Sequence, residues 1–152
     1  MALFNVRVYG LLFDEKKRLL VSDEFIRGNY FTKLPGGGLE FGEGTRDCLI
    51  REFMEETGLT VEIADHIYTT DFFQISAFNN KDQIISIYYL VKATGPIQLE
   101  TKTKPFDLAP HQIADPNGEG EVFRWIEWEK LREEDMSLPI DKVVIRLIKG
   151  AL

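Results

Sequence analysis

A run of three glycines, Gly36 to Gly38, is followed within a few residues by a segment that predicts a helix. Thr45 is a residue type that caps helix N-termini, and Gly58 supplies a common C-terminal stop, so the helix is expected at residues 45–57. Glycine has no Cβ, and the backbone of the run can therefore come close to whatever the helix binds. The glycine run and this helix constrain the fold more than any other segment.

The rest of the chain predicts mainly β-strands. The expected strands are residues 3–13, 18–21, 61–78, 83–94 and 121–128, and a last helix is expected at about residues 137–149. The polar turn at residues 14–17 predicts a hairpin between the first two strands, and residues 101–120 predict mostly loop. Strands on both sides of a central helix, with a second helix at the end, predict an α/β or α+β sandwich.

Length and charge limit the class of protein. A chain of 152 residues suits one domain, expected to span residues 1–152. Its 18 basic and 25 acidic residues give a net charge of −7, which argues against binding a nucleic-acid polymer, because that requires a basic patch. No signal peptide is visible, and no stretch approaches the ~18 apolar residues of a membrane span. We therefore expect a cytoplasmic protein without membrane association.

The predicted helix carries an acidic face. At about 100° per residue, Glu52, Glu55 and Glu56 fall within an arc of roughly 100°. The other side is apolar and is expected to pack on the sheet: Leu49, Ile50, Phe53 and Met54. Like charges at these spacings repel, so the pattern destabilises its own helix unless a cation lies over it. Clustered carboxylates suit Mg²⁺ or Mn²⁺, and the alternative is a solvated acidic helix face.

The spacing between the glycine run and the helix is also specific. The segment GGLEFGEGTRDCLIREFMEETGL resembles the Nudix box of the Nudix hydrolase family, G-x5-E-x7-R-E-U-x-E-E-x-G-U, with U a bulky apolar residue. The matching positions are Gly37, Glu43, Arg51, Glu52, Glu55, Glu56, Gly58 and Leu59. Only Phe53 departs, since an aliphatic residue is usual there. The resemblance implies the Nudix fold, an α/β/α sandwich with a central mixed β-sheet.

The resemblance also implies an activity and a site. Nudix hydrolases cut the diphosphate linkage of a nucleotide or nucleoside diphosphate derivative with a water activated by Mg²⁺ or Mn²⁺. By resemblance, the metal ligands are Glu52, Glu55, Glu56 and the carbonyl of Gly36, and the catalytic candidates are Glu55, Glu56, Arg51 and Glu121. Gly37, Glu43 and Gly58 would support the site, with Glu43 and Arg51 tying the loop to the helix.

The general base stays open at this stage. Glu121 and Glu119 are expected just before the last strand, about where the family often places an additional acid. Glu121 is the preferred candidate, with Glu119, Glu56 and Glu52 as alternatives. Two solvated loop acids without a role are the remaining interpretation for Glu119 and Glu121.

Other residues carry weaker hypotheses. Arg7, Arg27 and Lys33 are candidates for contacts with phosphate, and Phe31, Phe72, Phe73 and Phe123 are either base-stacking or core residues. Cys48 is the single cysteine, which excludes an internal disulfide and a cysteine-based zinc cluster, and we expect it to be a small packed residue.

Two other functions compete with hydrolysis. An isopentenyl diphosphate isomerase of the same fold needs a catalytic cysteine and a longer chain, and a non-catalytic nucleotide-binding module commonly loses box glutamates. The intact box favours the hydrolase. The particular nucleotide and the oligomeric state, including a homodimer, stay open.

Overall fold

The computed structural model describes residues 3–150. These residues form strands β1 (Phe4–Leu12), β2 (Arg18–Ile26), β3 (Asn29–Lys33), β4 (Gly36–Gly38), β5 (Val61–Thr69), β6 (Gln83–Ala93), β7 (Thr101–Lys102) and β8 (Glu119–Glu127). The helices are α1 (Thr45–Thr57) and α2 (Pro139–Gly150), with short 3-10 turns at Pro110–Gln112 and Glu133–Asp135. No helix among the described residues is long and apolar enough to cross a membrane.

The chain divides into two compact units. The first contains residues 3–12 and 35–99 of the described chain and is built on a sheet with the strand order β4-β1-β6-β5. In this sheet β1 and β6 are parallel, whereas the β1–β4 and β5–β6 pairs are antiparallel. β4 consists of glycine alone and pairs with the middle of β1, so that Gly37 lies opposite Val8. Helix α1 belongs to this unit.

The second unit contains residues 13–34 and 100–150 of the described chain. Its sheet has the order β3-β2-β8-β7, with two antiparallel pairs and a parallel β7–β8 pair. Helix α2 contributes buried apolar side chains, including Ile140, Val144 and Ile145, to the core of this unit. Arg146 of α2 also forms a bidentate ion pair with Glu133, at 2.8 and 2.9 Å.

The helix prediction for residues 45–57 is confirmed at both ends. Gly58 adopts a left-handed conformation with φ 72° and donates its amide to the carbonyl of Met54, as expected of a glycine stop. The N-terminal cap, however, is Gly44, and Thr45 is already helical. The apolar face is also narrower than predicted, since Ile50 and Met54 are 39% and 46% exposed.

A glycine in β1 explains how α1 accommodates its one departure from the box. A Cβ at Gly10 would lie 2.6 Å from Cε2 of Phe53 and 3.3 Å from Cδ2 of Leu49. The aromatic ring of Phe53 therefore occupies space that any side chain at residue 10 would need. Phe53 and Leu49 are both fully buried, and this contact seats α1 on the sheet.

The α/β class and the mixed strand pairing are confirmed, with the strands divided between two four-stranded sheets. The predicted hairpin at residues 14–17 is wrong. A turn forms there and Phe13 bridges Leu19, but β1 then pairs with β4 and β6 while β2 pairs with β3 and β8. The long strand predicted at residues 61–78 ends at Thr69, which leaves Phe72 and Phe73 exposed outside any strand.

Candidate functional site

One arginine connects the glycine strand, the loop after it and the acidic face of α1. Nη2 of Arg51 donates to the carbonyl of Gly38 at 3.2 Å and to Oε1 of Glu43 at 2.7 Å, and Nε donates to Oε2 of Glu43 at 3.0 Å. Nη1 donates to Oε1 of Glu52 at 3.0 Å and to Oε2 of Glu55 at 3.2 Å. A single guanidinium therefore donates hydrogen bonds to three carboxylates and one backbone carbonyl, and the carboxylate of Glu40 lies 3.7 Å from its Nη1.

The contact expected between Glu43 and Arg51 is present as a bidentate ion pair. The Arg51 hydrogen bonds, together with the amide of Glu40, lower the pKa of Glu43 from 4.5 to about 2. The same pairing raises the pKa of Arg51 above its ordinary value. Both groups are thus charged throughout the neutral range, and the loop stays tied to the helix.

The strand β4 and the helix meet at Gly37 and Glu52. A Cβ on Gly37 would lie 2.5 Å from the carboxyl carbon of Glu52 and within 2.7 Å of both its oxygens. The Glu52 carboxylate therefore packs directly on the backbone of β4, and the glycine at this box position is required by close approach. The Glu52 side chain is only 15% exposed, whereas that of Glu55 is 58% exposed. Glu56 is half-buried.

The chemistry of these donors suits a hard divalent cation, because carboxylate and carbonyl oxygens are the ligands that Mg²⁺ and Mn²⁺ prefer. Glu52 and Glu55 already converge on one positive charge, which is Nη1 of Arg51. Across residues 3–150, no three His, Cys, Asp or Glu side chains are grouped so that they could hold a metal ion. The donor types and the convergence of two carboxylates fit a cation site, and Arg51 supplies the positive charge found between them.

Cys48 lies on the buried side of this network. It is fully buried, and its Sγ is 3.6 Å from the carbonyl of Gly38 and 3.8 Å from Nη2 of Arg51. Burial, followed by the hydrogen bond and negative charge of Glu43, raises the pKa of the Cys48 thiol from 9.0 to about 12. A thiol that stays protonated and buried is a poor nucleophile, which agrees with a packing role.

The two acids expected before the last strand lie inside it. Glu119 is the first residue of β8 and pairs with Ile26, and Glu121 is the third and pairs with Glu24 of β2. The expectation that both acids precede the strand is therefore wrong, whereas the predicted strand at residues 121–128 agrees with β8, which begins two residues earlier. Glu119 is exposed, whereas Glu121 is partly buried, so the strand places the two candidates in different environments.

Glu121 belongs to a cluster that the sequence did not predict. Oγ of Ser22 lies 2.7 Å from Oε2 of Glu121 and 2.9 Å from Oε2 of Glu24. Nζ of Lys33, on β3, is 3.3 Å from Oε1 of Glu24. Burial, and after it the nearby negative charge of Glu24, raise the pKa of Glu121 from 4.5 to about 7, although Ser22 and Lys33 act in the opposite direction.

A buried ion pair lies next to this cluster in the same strands. Asp23 is fully buried and accepts two hydrogen bonds from Arg124, at 2.8 and 3.1 Å. It also accepts from the hydroxyl of Thr32 at 2.7 Å and from the amide of Phe106 at 3.1 Å. Because side chains alternate along β2, Asp23 points away from Ser22 and Glu24. The Asp23 carboxylate has all its hydrogen bonds within the fold and is structural. In the sequence, the three polar residues 22–24 in the middle of β2 were the signal for both the Asp23 ion pair and the Glu121 cluster.

The remaining candidates separate by their surroundings. Arg7 donates from Nε to the hydroxyl of Tyr9 at 2.6 Å, on the strand beside β4. Arg27 is exposed, and Lys33 is buried and bound to Glu24.

The aromatic candidates separate in the same way. Phe123 is a core residue at 7% exposure, Phe31 is half-buried, and Phe72 and Phe73 are exposed. The core interpretation therefore holds for Phe123 and is wrong for Phe72 and Phe73.

The fold has two mixed sheets, and one arginine joins the glycine strand to the acidic face of α1. These features define the class of protein as one with an acidic site formed by a loop and a helix. A model of the family described as NUDIX domain matches residues 3–147. The chain therefore belongs to the Nudix hydrolase family.

Solved structures share the fold. A NUDIX hydrolase from Nitrosomonas europaea matches with a TM-score of 0.67 at 18% identity, covering 97% of this chain and 90% of that one. A MutT protein from Methanosarcina mazei matches with a TM-score of 0.67 at 19% identity, covering 97% and 94%. An ADP-ribose pyrophosphatase from Streptococcus suis matches with a TM-score of 0.57 at 17% identity, covering 97% and 90%. At these identities the likeness establishes the fold.

Proposed function

We propose that this chain is a divalent-metal-dependent pyrophosphohydrolase that cleaves the diphosphate linkage of a nucleotide or nucleoside diphosphate derivative. The observation that carries the proposal is the Arg51 network, which joins the glycine strand and Glu43 to the carboxylates of Glu52 and Glu55 on α1. A non-catalytic nucleotide-binding module would not need all three box glutamates of α1, Glu52, Glu55 and Glu56. The single family model across residues 3–147 supports one hydrolase domain made of both compact units.

Four donors would hold the cation: the carboxylates of Glu52, Glu55 and Glu56 and the carbonyl of Gly36. When bound, Mg²⁺ or Mn²⁺ neutralises phosphate charge and lowers the pKa of a water. Glu52 is held in place by Gly37 and Arg51, so its contribution is preorganised. Glu55 is 58% exposed and is held by Nη1 of Arg51 at 3.2 Å.

Arg51 and Glu43 have a supporting part in this proposal. The Glu43 carboxylate, with its pKa near 2, keeps Arg51 fixed at the base of the acidic face. Fixed charge of this kind is worth most where charge develops in a transition state, because it needs no reorganisation during the reaction. Gly58 ends α1 and sets the length of the helix that presents the carboxylates.

Glu121 is the proposed general base, with Glu119, Glu56 and Glu52 as the alternatives. A base works best when its pKa lies near the working pH, and the pKa of Glu121 near 7 meets that condition. Glu119 is exposed at the start of β8, and it makes no comparable cluster.

The proposed substrate is small. The chain's net charge of −7 disfavours a long polyanion held by protein charge alone. One of the structural neighbours is called an ADP-ribose pyrophosphatase, which supports including ADP-ribose among the first substrates tested. A membrane-bound or nucleic-acid partner is not part of the proposal.

The test is product release from a substrate panel. Nucleoside triphosphates, nucleotide sugars, ADP-ribose and dinucleoside polyphosphates are incubated with Mg²⁺, with Mn²⁺ and with EDTA, and phosphate and nucleotide products are quantified. We expect turnover of at least one member with metal and none with EDTA. Tight binding of a nucleotide without turnover of any member under either metal would favour the binding module instead.

A further inference from the structure

Four side chains from three strands of the second unit meet at one point. Ser22 and Glu24 come from β2, Lys33 from β3 and Glu121 from β8. They share one face of the sheet, because Glu24 lies opposite Glu121 and Ser22 opposite Lys33 in the strand register. Ser22 is fully buried and Lys33 is 8% exposed. The cluster is therefore largely shielded from solvent.

The Ser22 hydroxyl cannot donate a hydrogen bond to two ionised carboxylates at once. Its Oγ is within 2.7 Å of one carboxylate oxygen and 2.9 Å of the other, yet a hydroxyl has a single proton to donate. Glu24 also raises the pKa of Glu121, through its negative charge and through hydrogen bonding that favours the protonated form. Ionised carboxylates only accept, so these short contacts require one proton carried by a carboxyl group.

The charge of the cluster also indicates that it binds one additional proton. Two carboxylates beside one ammonium leave a net charge of −1 in a site that is mostly removed from water. One additional proton makes the cluster neutral, which a buried site favours. Charged groups that act on Glu121 come from both other strands, namely Glu24 from β2 and Lys33 from β3.

The neighbouring groups do not change the number of protons that the cluster is expected to bind. Asp23 and Arg124 pair with each other on the opposite face of the sheet. Gln112, from the short turn packed on β8, is neutral and donates to the backbone carbonyl of Glu121.

We propose that Glu24, Ser22 and Lys33 are positioning residues that bind one proton together with Glu121 and thereby set its protonation state. Glu24 retains the proton, and Lys33 and Ser22 promote its release. The catalytic role of the cluster rests on the proposed function, in which Glu121 is the general base. In that role, the cluster controls the pH at which Glu121 is ionised and available as the base.

The direct test is a carbon-13 NMR titration of glutamate side-chain carboxyls, with Glu121→Gln used to assign the Glu121 signal. We expect the wild-type Glu121 signal to titrate near pH 7. Glu24→Gln should lower that midpoint by about one unit or more, since it removes the negative neighbour and its amide can donate to ionised Glu121.

Lys33→Met and Ser22→Ala should instead raise the midpoint, because each removes a group that favours the ionised form. Glu127→Gln, which changes an exposed acid on the same strand, is the matched control and should leave it unchanged. Circular dichroism of each variant at pH 5 checks the fold. Shifts of opposite sign in separate variants are not produced by general loosening of the structure.

A Glu121 signal that titrates with the ordinary carboxyls below about pH 5, or one that Glu24→Gln does not move, would overturn the proposal. Activity profiles separate it from the proposed function. If the titration midpoints move as expected and the acid limb of the kcat–pH profile moves with them, the result supports both the proton-binding cluster and Glu121 as the general base. If the midpoints move and the limb does not, the proton-binding cluster stands and Glu121 is not the base.

Discussion

The molecule contains two clusters of carboxylates that are neutralised in different ways. In the first unit, Glu43 from the loop before α1 and Glu52 and Glu55 from α1 itself surround the guanidinium of Arg51, and the Glu55 side chain is 58% exposed. In the second unit, Glu24 and Glu121 surround a buried serine and share one lysine. In the first cluster Arg51 lowers the pKa of Glu43, so this carboxyl stays ionised, whereas the second cluster binds a proton.

This difference shows that acidic composition does not by itself indicate a metal site. Ionised carboxylates that lie close to solvent and to backbone carbonyls can accept a divalent cation. Carboxylates that are mostly buried beside an ammonium exchange protons instead, because the site cannot tolerate net charge. We therefore propose that α1 binds a cation and that the strand cluster binds a proton.

The largest expected effect is on the α1 cluster. Glu55→Gln and Glu56→Gln should each lower kcat by about 10²-fold or more, because removing a metal ligand removes transition-state charge stabilisation. Thermal midpoints should change little, since the Glu55 side chain is 58% exposed and Glu56 is half-buried. Steady-state kinetics on the best panel substrate measures this, with Glu62→Gln on β5 as the exposed-acid control. Activity like that of the wild type in both variants contradicts the site assignment.

Arg51→Met tests how the α1 cluster is neutralised. Without the guanidinium, Glu43, Glu52 and Glu55 repel one another, and we expect a loss of about 1–2 kcal/mol in the free energy of unfolding at pH 7. The deficit should shrink below about pH 4, because Glu43, whose pKa Arg51 no longer lowers, becomes protonated there in the variant. Urea denaturation at both pH values measures it. A deficit that is the same at pH 7 and pH 3.5 would mean that Arg51 acts through packing alone.

The strand cluster should make stability depend on pH in the opposite sense to an ordinary ion pair. The pKa of Glu121 is raised from 4.5 to about 7, so between these values the folded chain holds a proton that the unfolded chain has lost. Unfolding free energy should therefore fall as pH rises from 5 to 7, with a slope of up to about 1.4 kcal/mol per pH unit. Glu121→Gln should flatten this slope. The depressed pKa of Glu43 does not interfere, because its effect is confined to more acidic pH.

The smallest effect is expected at Cys48, which lies beneath the arginine network. With its thiol fully buried and its pKa raised to about 12, Cys48 should resist alkylation by iodoacetamide at pH 8 in the folded protein. Mass spectrometry with and without denaturant measures the modified fraction. Rapid labelling of the native chain would show that the end of β4 at Gly38 opens, and that the α1 cluster is less rigid than its hydrogen bonds indicate.

The sequence predicted the α1 region well, because the relevant information is local. Glycine stops, carboxylate spacing and the Glu43–Arg51 pair all lie within one short segment, and the helix ends where Gly58 predicts. The three-glycine strand β4 was missed because its pairing with β1 depends on residues far away in the chain.

The strand cluster could not be predicted for the same reason. Ser22 and Glu121 are 99 positions apart, and Asp23 and Arg124 are 101 apart. Only the register of β2 against β8 brings them together. The alternation of polar residues at 22–24 marks an unusual strand, but it does not reveal which partners will arrive from β3 and β8.

Cation binding itself is the most direct test of the difference between the clusters. Isothermal titration of Mn²⁺ and Mg²⁺ into the wild type, the Glu55→Gln/Glu56→Gln double variant and Glu24→Gln separates the two regions without requiring a substrate. We expect the double variant to bind at least about tenfold more weakly and Glu24→Gln to bind as the wild type does. Equal affinity in the wild type and the double variant, or loss of binding in Glu24→Gln, would contradict the assignment of cation binding to α1.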